Sequence, residues 1–463
     1  MRDASPGPAY PAEPFLQRLT AAGSDLGGQL GRCLDQPLRR YLAGLVPRAG
    51  TGHAGHLGRL ATALVRWLGE RGVTDPDGVA DHLLRVPVIQ QADHANLLLD
   101  RETFLNNYLF HLACSHAGAR VMVVSQCSTV SCLSRRVPVT GPVFLRTRGS
   151  LYRVFPFSKR RYKDSTFCCL PPPLTMTLER LEGDGPAAAD DPVLGSLVGR
   201  VWPDPAEAYR RCNEEIWSSL ALDHSVRRVA VDESLAAECA ADHLLDPASP
   251  LRHVVFDPRV RRAFLGVKRE LVARPDNLAV NRAAPDFFWV RRGSRLHPVV
   301  LREEGGTAVM VVETDGAAVP VPFAPRPVAA ALRAGVLHTD RVLAYLVRCL
   351  LPGVVAVGGT SQQDYVRLYV RLLTETHRRV PFLDAAEVAT VTTPGLSRLG
   401  GMPLLHLDHP ATLPLTHLSP TTDLAAVARQ VLDQRVGHTI GTLSCARYFD
   451  EALARSEAVE AHA

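Results

Sequence analysis

The chain has 463 residues, 46% apolar and 21% charged, with a formal net charge of +5. That is the composition of a globular protein with a sizeable core, and it falls short of the charge of a dedicated nucleic-acid binder. No run approaches the roughly eighteen uncharged apolar residues of a membrane span, and the opening MRDASPGPAYPAEPF carries no apolar stretch of a secretory leader, so neither is expected. The ten cysteines are scattered without a C-x-x-C pair, which points to reduced thiols and a cytoplasmic address.

Residues 1–80 read as a helical N-terminal domain. Leu38, Tyr41, Leu42 and Leu45, then Leu57, Leu60, Leu64 and Leu68, repeat at helical spacing. His53 and His56 stand three apart near the start of the second of these helices. They could face a ligand together, but without a third partner they are expected to be surface residues.

Residues 81–181 read as the first half of an α/β core. VPVI (Val86–Ile89) is a short buried strand, QQADHAN a polar loop, and LLLDRETFLNNYLFHLACSHAG a helix ending at Gly118. ARVMVV (Ala119–Val124) is a second buried strand, followed by the polar turn SQCST. Strand, crossover helix and strand make a βαβ unit and a parallel sheet, whose ligands sit at the carboxyl ends of strands. GPVFLRTRG, SLYRVFPFS and STFCCL read as further strands. Arg146, Arg148, Arg153, Lys159, Arg160, Arg161 and Lys163 form either a patch for a phosphate, a carboxylate or RNA, or the wet face of a ribbon. Tyr152, Phe155 and Phe157 are core candidates that could also stack bases.

Residues 182–278 read as a turn-rich linker and a helical insertion. Residues 279–400 read as the second half of the core, with strands at DFFWV and AVMVVET, a helix TDRVLAYLVRCLLP, a buried strand VVAV (Val354–Val357) and a helix after GGTSQQDY. Gly358 and Gly359 allow a tight turn, Thr360 or Ser361 can cap the helix, and its free N–H groups favour an anion. Residues 401–463 read as loops and helices around Leu424–Leu432 and Cys445–Val459.

The common nucleotide and hydrolase motifs are absent. Gln90, Gln91, Asp93, His94 and Asn96 crowd one loop past a buried strand. His94 is the candidate acid or base, oriented by Asp93 or Asp100. Ser128 and Thr129 are candidate ligand hydroxyls. Cys127 has no base close in sequence and reads as a small packing residue rather than a nucleophile. His406, Asp408, His409, His417 and His438 fit no standard zinc spacing, so no metal is expected there.

The run from His338 to Pro381, with Leu350–Leu351–Pro352, Gly358–Gly359, Asp364 and Tyr365, resembles the bacillithiol-biosynthesis cysteine-adding enzyme family. Phe287–Gly306 looks like that family's hairpin, and Gln90–Gln91 like its Gly-Gln-Gln loop. The resemblance covers about a third of the chain and implies a Rossmann-like parallel-sheet core with inserted segments. It implies an enzyme that joins an amino acid, cysteine in the family, to a small amine- or acid-bearing acceptor. The joining is either nucleotide-linked, with ATP or ADP as candidate cofactor, or ATP-independent. Ile89 replaces the Gly before the glutamine pair, LLLDRETF a Gly-Pro-Leu-Tyr run, and SQCSTVSC an acidic-histidine motif, which implies a different substrate. The family's long C-terminal heptad segment is missing, so a homodimer stays an open expectation.

The sequence reading is therefore a ligase- or transferase-type condensing enzyme. Gln91, Asp93 and His94 are assigned to catalysis. Gln90, Asn96, Ser128, Thr129, Gln363, Asp364 and Tyr365 are assigned to the substrates, and Gly358, Gly359, Thr360 and Ser361 to a phosphate. Two alternatives stand beside it: a nucleotide- or RNA-binding module working through Arg146–Lys163, and an inactive scaffold for a partner enzyme.

Overall fold

The computed structural model describes residues 13–21, 25–47, 52–129, 133–134, 137–138, 143–147, 150–154, 165–170, 173–184, 190, 195–202, 204–220, 222, 224–273, 285–305, 307–401, 404 and 424–440. The N-terminal part is helical as expected. Its longest helix, α1 (Ala54–Glu70), buries Leu57, Leu60, Leu64, Trp67 and Leu68 on one stripe, and the His53 side chain accepts from His56 N to cap it.

A parallel sheet follows. It is built from β1 (Val88–His94), β2 (Val121–Cys127), β3 (Arg227–Asp232), β4 (Val355–Gly358) and β5 (Ser397–Leu399), in the order β3-β2-β1-β4-β5. Every neighbouring pair is parallel, with Ile89 opposite Val123 and Ala356. The strands bury apolar side chains on both faces, as a sheet covered on both sides requires. Val88, Met122, Val124, Val355 and Val357 face one core, while Ile89, Val123, Val229, Val231 and Ala356 face the other.

Helices join the strands. The helix α2 (Arg101–His116) runs from β1 to β2 and is capped by Asp100, and α3 (Glu233–Leu245) leaves β3 capped by Asp232. Asp340 caps the short α4 (Arg341–Tyr345), which widens into a π turn at Leu346–Leu350 before β4. The helix α5 (Thr360–Arg379) leaves β4, and α6 (Ala385–Val391) precedes β5. A four-stranded antiparallel sheet made of 307–312, 295–304, 288–292 and 337–339 contains the expected hairpin.

Several expectations are corrected. Residues 227–232, placed in a helical insertion, form the third parallel strand, because RRVAVD is too short to show a period. The first strand continues through Gln90–His94 and the second through Ser125–Cys127, so most of both "loops" is strand. Phe167–Cys169, expected as strand, is a 3-10 turn. The helix at Leu424–Leu432 is present, and the one expected at Cys445–Val459 lies outside the described residues. No helix among the described residues is long and apolar enough to cross a membrane.

Candidate functional site

In the strand order, consecutive strands run outward from β1 in one direction and then resume from β4 in the other. A crevice opens where the direction reverses, at the carboxyl ends of β1 and β4. The residues singled out from the sequence gather there, but the pleat divides them between two faces.

On one face, buried Gln90 lies against Asn106, Val357, Gly358, Gly400 and Gly401, in a crevice that leaves no room for a water molecule. A Cβ on Gly401 would lie 1.9 Å from Asn106 Oδ1, and one on Gly400 would lie 2.5 Å from Val357 Cγ1. The side chains of Asn106 and Val357 close this side against the two glycines, so Gln90 is enclosed here rather than open to a substrate. Asn96 is likewise turned into its own loop: its Oδ1 accepts from Leu97 N, and its carbonyl accepts from Asn213 Nδ2 at 2.9 Å.

The other face gathers Gln91, His94 and Arg341. Gln91, one residue on, donates through Nε2 to Cys349 Sγ in the π turn. The pairing of β1 with β2 is irregular between Gln90 and Asp93. Such bulges re-aim the side chains after them, here His94. His94 is solvent-exposed, yet desolvation first, and then the charge of Arg341, lower its pKa, with Asp100 partly opposing them. A ring that is both wet and desolvated lies in a recess, and one held below its ordinary value is neutral at pH 7 and able to accept a proton. The side chain of Asp93 lies outside the described set, and Asp100 is committed to capping α2 through Thr103 N.

Arg341 begins α4 at the same recess. Its guanidinium lies 4.7 Å above the Tyr365 ring and feels Tyr369, Tyr365, Cys127 and Tyr345 electrostatically. Arg348, two turns further on, is buried and donates to Ser125 Oγ near the end of β2, and its Nε has no partner. Among the described residues neither arginine has a carboxylate within ion-pair distance. A guanidinium never gives up its charge: Arg348 carries it in low dielectric without a counter-ion, which is costly, and Arg341 presents it exposed at the mouth of the recess, so an anion there would meet two unpaired cations. The partnerless buried Nε2 of Gln363 adds a donor on α5.

At the end of β2, Ser128 donates through both its N–H and Oγ to Glu233 Oε2, so its hydroxyl orients that carboxylate rather than a ligand. Burial first, then Glu233, pushes the Cys127 thiol far above its ordinary value, with Thr129 Oγ1 3.8 Å from the sulfur. A thiol so placed stays protonated near neutral pH.

The Gly358–Gly359 turn leads into α5 as expected, but Gly359 is the cap residue, with no side-chain cap bond, and Thr360 is buried in the first turn. The first-turn N–H groups are thus left without a side-chain acceptor, the arrangement that takes an anion. A Cβ on Gly358 would meet Gln362 Oε1 at 1.9 Å, and Gln362 itself ties Ala356 O to Tyr345 OH. Ser361, Gln363, Asp364 and Tyr365 follow half-buried on the same helix.

No model of a known protein family, no characterised protein and no solved structure matches this chain.

Arg341, Arg348 and Glu233 were not found by the sequence reading, although two left signals. An arginine in the first turn of a helix opposes the helix dipole, and a lone arginine inside LAYLVRCLLP is a charge in an apolar run. Of the basic ribbon, Arg153 pairs with Glu179, and Tyr152 is buried in the core under Arg180, so Tyr152 is not available to stack a base. Arg148, Phe155, Phe157, Lys159, Arg160, Arg161 and Lys163 lie outside the described residues, as do His406, Asp408, His409 and His417. His438 is exposed on a short helix, Val436–Ile440.

Proposed function

We propose that this chain is a condensing enzyme that joins the carboxyl group of an amino acid or small acid to an amine-bearing acceptor, on a Rossmann-like core. The observation that carries the reading is Arg341, a cation without a counter-ion beside the neutral His94 at the reversal point of the parallel sheet. Arg341 would hold the carboxylate or a phosphate on it. The open N-terminus of α5 after Gly358–Gly359 would hold a second anionic group, which suits ATP or ADP. His94 would take the proton that the attacking amine must lose. Gln91, Gln363 and Tyr365 would form the wall, and Glu233, fixed by Ser128, would face an ammonium group. An anion site with a neutral base fits amide formation better than RNA binding, which needs many exposed cations along a path.

The test is product formation. Purified protein is incubated with pooled amino acids and amine acceptors, with and without ATP, and mass spectrometry looks for a product equal to the two reactants less one water. His94→Ala and Gln91→Ala are run in parallel. Product that survives both substitutions, or no product under any pairing, counts against the reading.

A further inference from the structure

The sequence places His53 and His56 together without a third ligand. The fold supplies one from 331 residues away: His56 Nε2 lies 2.7 Å from Glu387 Oε1. One ring nitrogen of each histidine and one oxygen of Glu387 lie within 4.8 Å of one another. His53 Nε2 is 4.0 Å from Asp384 Oδ2. His56 and Glu387 are each 8% exposed at the side chain, His53 24% and Asp384 63%, so the cluster is buried on one side and wet on the other. His56 is thus buried, not the surface residue expected. Its Nδ1 is buried without a partner, an uncommon state for a core imidazole.

We propose that His53, His56 and Glu387 bind a divalent transition-metal ion of the zinc class, with water or Asp384 in the fourth position. Two imidazoles and a carboxylate are a common zinc donor set, and imidazole also suits its neighbours in the first row. The ion lies between His56 Nε2 and Glu387 Oε1, which move apart from 2.7 Å to hold it. Tetrahedral bonds of roughly 2.0–2.2 Å need ligand atoms about 3.4 Å apart, and rotation of the partly exposed His53 ring closes that distance. The two carboxylates outweigh the partial positive charge of the α1 and α6 N-termini. A groove of about 420 Å³, lined by Gly52, His53, Gly55, Ala386 and Thr390, gives the ion a way in.

This site is separate from the recess at Arg341. A Cβ on Gly52 would strike Pro352 O, and Pro352 leads into the amino end of β4, whereas Gly358 stands at its carboxyl end. Four residues of strand, on the order of 10 Å, lie between them. The ion ties α1 to α6 and so fastens the N-terminal helices to the second half of the core.

The test is zinc titration of the full chain, first stripped with a chelator, against a chromophoric competitor. His53→Ala removes the cap of α1, and Glu387→Gln leaves one oxygen for the two donors His56 Nε2 and Asp384 N, so the thermal stability of each metal-free variant is measured beside its affinity to show that it is folded. His116→Ala, an exposed histidine on α2, is the control. The expected result is one zinc per chain, with affinity at least about tenfold weaker in His53→Ala and in Glu387→Gln and unchanged in His116→Ala. Cobalt(II) in place of zinc gives the visible bands of a four-coordinate site, and these are lost with His53. No bound zinc, or wild-type affinity in either cluster variant, overturns the proposal.

Discussion

Lys268 and Asp340 form an ion pair with Nζ 2.6 Å from Oδ2, at side-chain exposures of 6% and 4%. The same ammonium donates to Pro285 O at 2.7 Å and to Asp286 O at 2.9 Å, and Asp340 Oδ1 accepts from Leu343 N to cap α4. The pair therefore fixes the backbone from which Arg341 projects. Lys268→Met leaves a buried carboxylate without its ion-pair partner, with only the charge of Arg341 beside it, a change worth about 3–5 kcal/mol. Adding Asp340→Asn removes the stranded charge while an amide oxygen still caps Leu343. The double variant is expected about 1–2 kcal/mol below wild type, for the carbonyls left without a donor. Urea unfolding followed by the fluorescence of the four tryptophans reads both values. A loss below about 1 kcal/mol in Lys268→Met, or a double variant no better than the single, would refute the reasoning.

Acid should destabilise the fold through its buried histidines. Desolvation lowers the His338 imidazole from 6.5 to about 4, and His243 is depressed for the same first reason. Between those values the unfolded chain takes up protons that the native chain refuses. Stability therefore falls as pH drops from 6.5 toward 4, by about 3 kcal/mol from His338 alone. His338→Gln should flatten that slope in unfolding measured at several pH values. Cys127, held protonated by burial and Glu233, should resist iodoacetamide at pH 8 in the native protein, and Cys127→Ser should leave turnover in place; rapid labelling would show the thiol to be reactive. Gly401→Ala should cost about 2–4 kcal/mol, because its φ of +72° is left-handed and its Cβ would strike Asn106. Gly395→Ala, at φ +81° with only the end of Arg398 near, should cost about 1–2 kcal/mol; equal losses would show that contact with Asn106 is unimportant.

The apolar runs gave away most of the core. ARVMVV and VVAV are buried strands, and Leu57, Leu60, Leu64 and Leu68 are one face of α1. The parallel sheet followed from a strand, a helix and a strand in succession. The third strand was hidden because RRVAVD is short and lies between helices. The extent of β1 was hidden because Gln90–His94 is polar, and a polar strand end reads as a loop. That error joined Gln90 to Gln91, although the pleat sends them to opposite faces. The turn at Gly358–Gly359 was legible from two glycines after a buried strand. Arg341, Glu233 and the Glu387 partner of His56 lie far along the chain from the residues they meet, and no local pattern brings such pairs together.

The recess at Arg341 is tested most directly by thermal stability of the wild type and of Arg341→Ala against inorganic pyrophosphate, ATP and free amino acids. A ligand at about a hundred times its dissociation constant adds roughly 2.7 kcal/mol to the native state. The expected result is that stabilisation in the wild type and its loss in a folded Arg341→Ala protein. Equal stabilisation of both proteins, or none in the wild type with any of these ligands, would contradict the assignment of the anion site.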